Sequence, residues 1–217
     1  MRNAIFSVLT GFIALSTAFA IGSEGANAAA IVGQSSTIQV ISAPANVQSG
    51  SVESDDFFSV FEEQTTFVTG LAVNATVAGD PFVGGTSTPG SVTGYVTSFF
   101  VHYDPVTSLD ALNGFLAFDG PILGLIWNQS ELNASDGIVG APGTTYTPQS
   151  SRDYESGNDQ VIFTSVNQVD FQALAGNSVD SLRVIVAATA VPEPGALAVF
   201  GLGLGLGALA LARRRRG

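Results

Sequence analysis

The chain of 217 residues contains no cysteine, no lysine and one histidine, His102. Without cysteine there is no disulfide framework, no thiol nucleophile and no thiolate metal site. Without lysine there is no Schiff-base chemistry. A single imidazole cannot supply the two or three that zinc sites built on histidine require. Positive charge is almost as scarce. All seven basic residues are arginines, and five of them, Arg2 and Arg213 to Arg216, lie at the two ends. Of the eighteen acids, only Glu24 and Glu193 fall outside residues 31–190; the remaining sixteen face just Arg152 and Arg183, a net charge of −14. Such a surface repels polyanions, which excludes nucleic acid as a partner. No segment of the body holds a 3.6-residue period over three turns, which argues against a helical bundle.

Long apolar runs are present only at the ends. Met1-Arg2-Asn3 and the apolar residues 4–20 have the layout of a secretory signal peptide. Two small-x-small cleavage sites follow, Ala18-Phe19-Ala20 and the cluster containing Ala28 and Ala30. The polar approach Gly22-Ser23-Glu24-Gly25 favours the later one. At the other end, Pro192 and Pro194 keep Val191-Pro192-Glu193-Pro194 extended and accessible. Residues 196–212 carry no charge, and as a helix they span roughly 26 Å, close to the ~30 Å hydrocarbon thickness. Arg213, Arg214, Arg215 and Arg216 then form a stop-transfer end held in the cytoplasm. The chain therefore divides into a signal peptide (1–30), an exported body (31–190) and a terminal signal (191–217).

Motif, apolar helix and basic end, in this order and combined with an export signal, resemble the PEP-CTERM sorting signal of Gram-negative bacteria. The resemblance covers the whole tail. It implies that an exosortase, a membrane transpeptidase-like protein, handles or cleaves the chain near Val191, Pro192, Glu193 and Pro194, which makes them a substrate site. With the export signal, this gives export through the inner membrane, transient anchoring there, and a destination at the cell surface or in an extracellular biofilm matrix; the acidic, Ser/Thr/Asn/Gly-rich body suits contact with hydrated polymers, which makes exopolysaccharide a candidate partner. The phrases His102-Tyr103-Asp104-Pro105, Ile122-Leu123-Gly124-Leu125-Ile126 and Gly140-Ala141-Pro142-Gly143-Thr144 are similar to those of other exported β-domains of this kind, a weaker likeness that implies fold and no activity.

The body itself is rich in Thr, Val and Phe, with turn residues about every ten positions. That pattern predicts an all-β fold, a single antiparallel β-sandwich of jelly-roll type. Its core is expected to draw on Phe99, Val101, Phe115, Leu116, Phe118, Ile122, Leu123, Leu125, Ile126, Ile162 and Phe163. One helical turn is expected at residues 130–136, with Ser130 as its N-cap.

Candidate chemistry is sparse, and the body is expected to be structural or adhesive, not enzymatic, with no catalytic residues and no cofactor. His102 near Asp104 has the composition of an acid-oriented base, yet no Gly-x-Ser-x-Gly elbow accompanies it. Asp55/Asp56 and Glu62/Glu63 are adjacent acids, which point to opposite faces of a strand and read as a solvated rim. The oxygen-rich run Asp153-Tyr154-Glu155-Ser156-Gly157-Asn158-Asp159 offers hard donors of the kind Ca²⁺ prefers, without the spacing of an EF-hand loop. Trp127 closes an apolar strand and reads as core. The competing classes are a secreted polysaccharide hydrolase and a carbohydrate- or calcium-binding module.

Overall fold

Strands form nearly everywhere the sequence alternates Thr, Val and Phe with polar residues. The computed structural model describes residues 25–76, 88–107, 111–146, 152–154, 159–174 and 179–191. In chain order the elements are β1 (Gly25–Asn27), β2 (Ile31–Gln34), β3 (Ile38–Val40), β4 (Phe58–Val73), β5 (Gly90–Tyr103), β6 (Leu112–Phe118), β7 (Ile122–Ile126), α1 (Gln129–Val139), β8 (Gln160–Ser165), β9 (Gln168–Ala173), β10 (Asp180–Ala187) and β11 (Thr189–Val191). They belong to one compact unit, Gly25–Val191. Residues 1–24 of the expected signal peptide (1–30) and the anchoring helix fall outside the described residues, whereas residues 25–30 are described and hold β1.

The strands make a five-stranded sheet in the order β3-β4-β5-β10-β7, a four-stranded sheet in the order β2-β6-β9-β8, and the separate pair β1-β11. An all-antiparallel arrangement is expected from the sequence, but β3 runs parallel to β4. Residues 41–57 explain the difference, because a connection this long returns the chain to the same end of the sheet, as a tight hairpin cannot. The two sheets share one core. Phe58, Phe99, Leu182 and Val184 come from the larger sheet, and Phe118, Val169 and Phe171 from the smaller. Phe58 meets Phe171 edge-on at 4.8 Å between ring centroids, and Phe99 meets Phe118 at 4.9 Å.

The centre of the larger sheet is buried on both faces. Its second face holds Phe61, Val96, Phe100 and Ile185 beneath Leu132 and Val139 of α1. Strand β10 lies between β5 and β7 and is buried from Asp180 through Val186, so its apolar residues run on without alternation. Strand β4 runs unbroken over 16 residues. Register shifts between Glu62/Thr65 and Val68/Leu71 take up the extra residues, and Gly70, at φ +66°, supplies the left-handed residue within the second shift.

Two expectations need correction. Phe115, Leu123 and Ile162 are only partly buried, because the period of two turns them away from the shared core while Leu116, Phe118, Leu125 and Val161 face it. The helical segment is a full helix of 11 residues, capped at Asn128 and not at Ser130. Asn74 reaches across from the end of β4 to fix its start. The Asn74 Oδ1 accepts hydrogen bonds from the backbone N–H of Trp127 at 2.7 Å and of Asn128 at 3.0 Å. Ser130 instead donates its hydroxyl to Glu131 at 2.5 Å.

Candidate functional site

Of the expected sorting motif only Val191 is described, as the last residue of β11, where it pairs with Gly25. Pro192, Glu193, Pro194 and Arg213 to Arg216 lie outside the described residues. Ala28 and Ala30 sit in the connection from β1 to β2, both exposed. Ala29 between them is 5% exposed and belongs to the core.

His102 and Asp104 are not joined. His102 is 1% exposed, stacks near Phe100 at 6.3 Å, and has no hydrogen-bond partner on either ring nitrogen among the described residues. Burial, helped by the charge of Arg152, depresses its pKa to about 4. Asp104 accepts from the Gly50 N–H at 2.7 Å instead. Burial raises its pKa, with Glu53 adding to the effect and the amides of Gly50 and Ser51 opposing it. A buried imidazole kept neutral between Ser59 and Ser181 of the flanking strands, with its expected acid engaged elsewhere, fits a structural role. Asp55 is also occupied. It accepts from Val106 N–H at 2.8 Å, Thr107 N–H at 3.1 Å and the Thr107 hydroxyl at 2.7 Å, and that hydroxyl leads in lowering its pKa. Trp127 is buried, as expected.

Glu62 and Glu63 part company. Glu62 is exposed, but Glu63 is 6% exposed and lies at the centre of the largest polar network described. Arg183 Nε reaches Glu63 Oε2 at 2.6 Å and its Nη2 reaches Oε1 at 2.7 Å, a bidentate pair. Ser98 and Tyr146 each donate a hydroxyl to the same carboxylate at 2.5 Å. Asp136 on α1 then bridges Arg183 at 3.0 Å and Arg152 at 2.9 Å. Arg183 also donates to the Leu132 carbonyl at 3.2 Å and to Ser135. Its guanidinium lies 5.2 Å from the Phe100 ring and 5.4 Å from the Tyr146 ring. Burial opposes the charge on Arg183, but Glu63 and then Asp136 outweigh it, so its pKa is raised. Burial and then Glu63 raise the Tyr146 phenol. Each Glu63 oxygen accepts two hydrogen bonds, whereas the buried Nε of Arg152 has no partner among the described residues; the network ties α1 to β4, β5 and β10.

Part of the oxygen-rich run, residues 155–158, is outside the described residues. Its last member, Asp159, accepts from the Leu174 N–H at 2.8 Å. Among the described residues no group of three or more His, Asp or Glu converges as a metal would need.

A different feature was not apparent from motifs. On the face of the smaller sheet turned away from the core, an open groove of about 360 Å³ is lined by Asn113, Phe115, Gln160, Ile162, Asp170 and Gln172, with Ser35 at its border. Cross-strand register builds it in two rungs. Asn113 pairs with Gln172, which pairs with Gln160; Phe115 pairs with Asp170, which pairs with Ile162. One rung is three amides in a row, spanning roughly 10 Å across three strands. The other is an aromatic and an aliphatic flanking one carboxylate. Gln168 Nε2 steadies that carboxylate from the strand itself, at 2.9 Å from Asp170 Oδ1. An amide both donates and accepts, so a row of them matches neighbouring hydroxyls, which do the same. The sequence signal was the apolar residues of β6 and β8 that fall out of phase with the core.

These features define an all-β domain with a buried internal charge network and an open, amide-lined groove on an outer sheet face. Comparison of the chain with family models, with curated proteins and with solved structures finds no match.

Proposed function

We propose that this is an exported surface or matrix protein, delivered through its Pro192-Glu193-Pro194 tail to an exosortase and acting outside the cell as a non-catalytic adhesive domain. Two sheets sharing one core support a sandwich of jelly-roll type for its body. The tail's three-part order supports the sorting, with transient anchoring in the inner membrane by residues 196–212. The observation that carries the binding role is the groove on β6, β9 and β8. Its lining has donors and acceptors for hydroxyls, a ring face for stacking, and one acidic group. No cation stands among its lining residues, so the matching partner is a neutral polysaccharide, an exopolysaccharide outside the cell. Weak contacts of this kind act through many copies on a repeating polymer.

Two experiments test the two halves. Mobility of the protein through gels containing neutral or anionic polysaccharide reports on the groove. Retardation by a neutral polymer, lost in Gln172→Ala, is the expected result, and turnover of the polymer would replace adhesion with hydrolysis. For sorting, intact mass of protein recovered from the envelope or medium is expected to lack residues beyond the Pro-Glu-Pro motif. Glu193→Ala is expected to leave precursor in the inner membrane, and recovery of wild-type chains still ending at Gly217 would overturn the sorting reading.

A further inference from the structure

Strand β1 lies upstream of the cleavage cluster favoured on sequence grounds, yet it is built into the domain. Gly25, Ala26 and Asn27 pair antiparallel with Val191, Ala190 and Thr189, and β11 pairs with no other strand among the described residues. Ala29 is buried in the core shared by the sheets. Its N–H donates to Thr97 Oγ1 at 2.8 Å, a buried bond, and Thr97 Oγ1 lies 2.9 Å from the Thr65 hydroxyl. Ala30 N–H donates to Asp119 Oδ1 at 2.8 Å while Asp119 N–H returns to the Ala30 carbonyl at 3.0 Å, a closed two-bond clasp.

We infer that export cleavage falls before this strand, after Ala20, so that β1 stays on the mature chain and clasps the segment leading into the sorting motif. This rests on the export reading. In the step proposed, a leader peptidase adds water across the Ala20–Ile21 peptide bond, leaving a carboxylate on Ala20 and a free amine on Ile21. Cleavage acts on the chain during translocation, before folding, so the fold does not shield the later site. The argument comes from what the later cut removes. Cleavage after Ala30 takes away β1, the buried Ala29 and both bonds to Asp119, and it leaves β11 with unpaired backbone groups on both sides. The linker ahead of Pro192 would then begin near the end of β10. With β1 retained, Val191, the first residue of the motif, is the last paired residue among those described. The sequence offers Ala18-Phe19-Ala20 as the small-x-small site that spares all of this.

The test is the N-terminus of the full-length protein expressed in a Gram-negative host and recovered from the envelope or medium. A mature chain beginning at Ile21 is expected. Ala18→Gln with Ala20→Gln should leave the leader attached, whereas Ala28→Gln with Ala30→Gln should leave the start at Ile21. Both side chains of the second pair are exposed, so that variant keeps its fold. A wild-type start at Ile31 would overturn the inference and leave export standing. A chain still beginning at Met1 would overturn both.

Discussion

Glu63 shows how much a single buried carboxylate can carry. Both its oxygens are bonded to Arg183, and Ser98 and Tyr146 complete its shell. Glu63→Gln keeps the shape but leaves the guanidinium, fully buried, without its main counter-charge. The expected loss is roughly 3–5 kcal/mol in urea unfolding, and a loss under about 1 kcal/mol would show the pair to be dispensable. His102 gives the second expectation, a pH dependence. Its folded pKa is depressed to about 4, while the unfolded chain takes up the proton near 6.5. The neutral ring therefore contributes fully above pH 6.5, and that contribution drains away as pH falls toward 4, by on the order of 3 kcal/mol. Asp104 and Asp136, whose pKa values burial raises, act in the opposite sense at the acid end. Comparing wild type with His102→Leu cancels them, and the variant should lose the slope between pH 6.5 and 4. The sequence carried a trace of these sites. Glu63 lies in phase with the buried Phe61 and out of phase with Glu62, and Arg183 is in phase with Ile185 inside an apolar run. Which acid the arginine meets was not legible, because that pairing depends on β4 and β10 flanking β5 in one sheet and on their registers with it.

At the scale of elements, parity on one strand separates stability from binding. On β6, Phe118 is fully buried, and Phe115, three positions earlier, points into the groove. Phe118→Ala is expected to cost about 3–5 kcal/mol. Phe115→Ala should cost far less and instead weaken retardation by neutral polysaccharide; equal destabilisation by the two would contradict the split. The alternating Thr, Val and Phe made the strands legible, but a run such as Phe115-Leu116-Ala117-Phe118 fits either face until the register with β9 decides it. Helix α1 was underestimated for a related reason. Gly137, Asn133 and Asp136 are poor helix formers, so its length comes from packing Leu132 and Val139 on the sheet and from the two arginines on Asp136. Neither contact is local in sequence. The parallel β3–β4 pair was hidden in the same way, inside a long connection whose path no local residue dictates.

For the whole molecule, composition set the charge but not where the charge goes. The body's two arginines are 3% and 0% exposed and spent on Asp136 and Glu63. With no lysine in the chain, the acids that remain outside have no cationic side chain of the body to answer them. A surface of one sign repels itself and other copies, most strongly at low salt. Divalent cations relieve that repulsion in two ways that experiment separates. Screening depends only on ionic strength, so Ca²⁺, Mg²⁺ and NaCl at matched ionic strength would raise the melting temperature equally. Binding to carboxylates and carbonyls in the oxygen-rich loops favours Ca²⁺, which accepts six to eight oxygens in flexible geometry, whereas Mg²⁺ demands a near-ideal octahedron. At ten times its Kd, a Ca²⁺ ion bound only to the folded state adds roughly 1.4 kcal/mol, which for a domain of this size raises the melting temperature by about 3–6 °C. The expected outcome in scanning fluorimetry is a calcium shift above the matched-salt controls, reversed by chelator and accompanied by concentration-dependent association. Equal shifts in all three salts would reduce the effect to screening and remove cation bridging from the adhesive role.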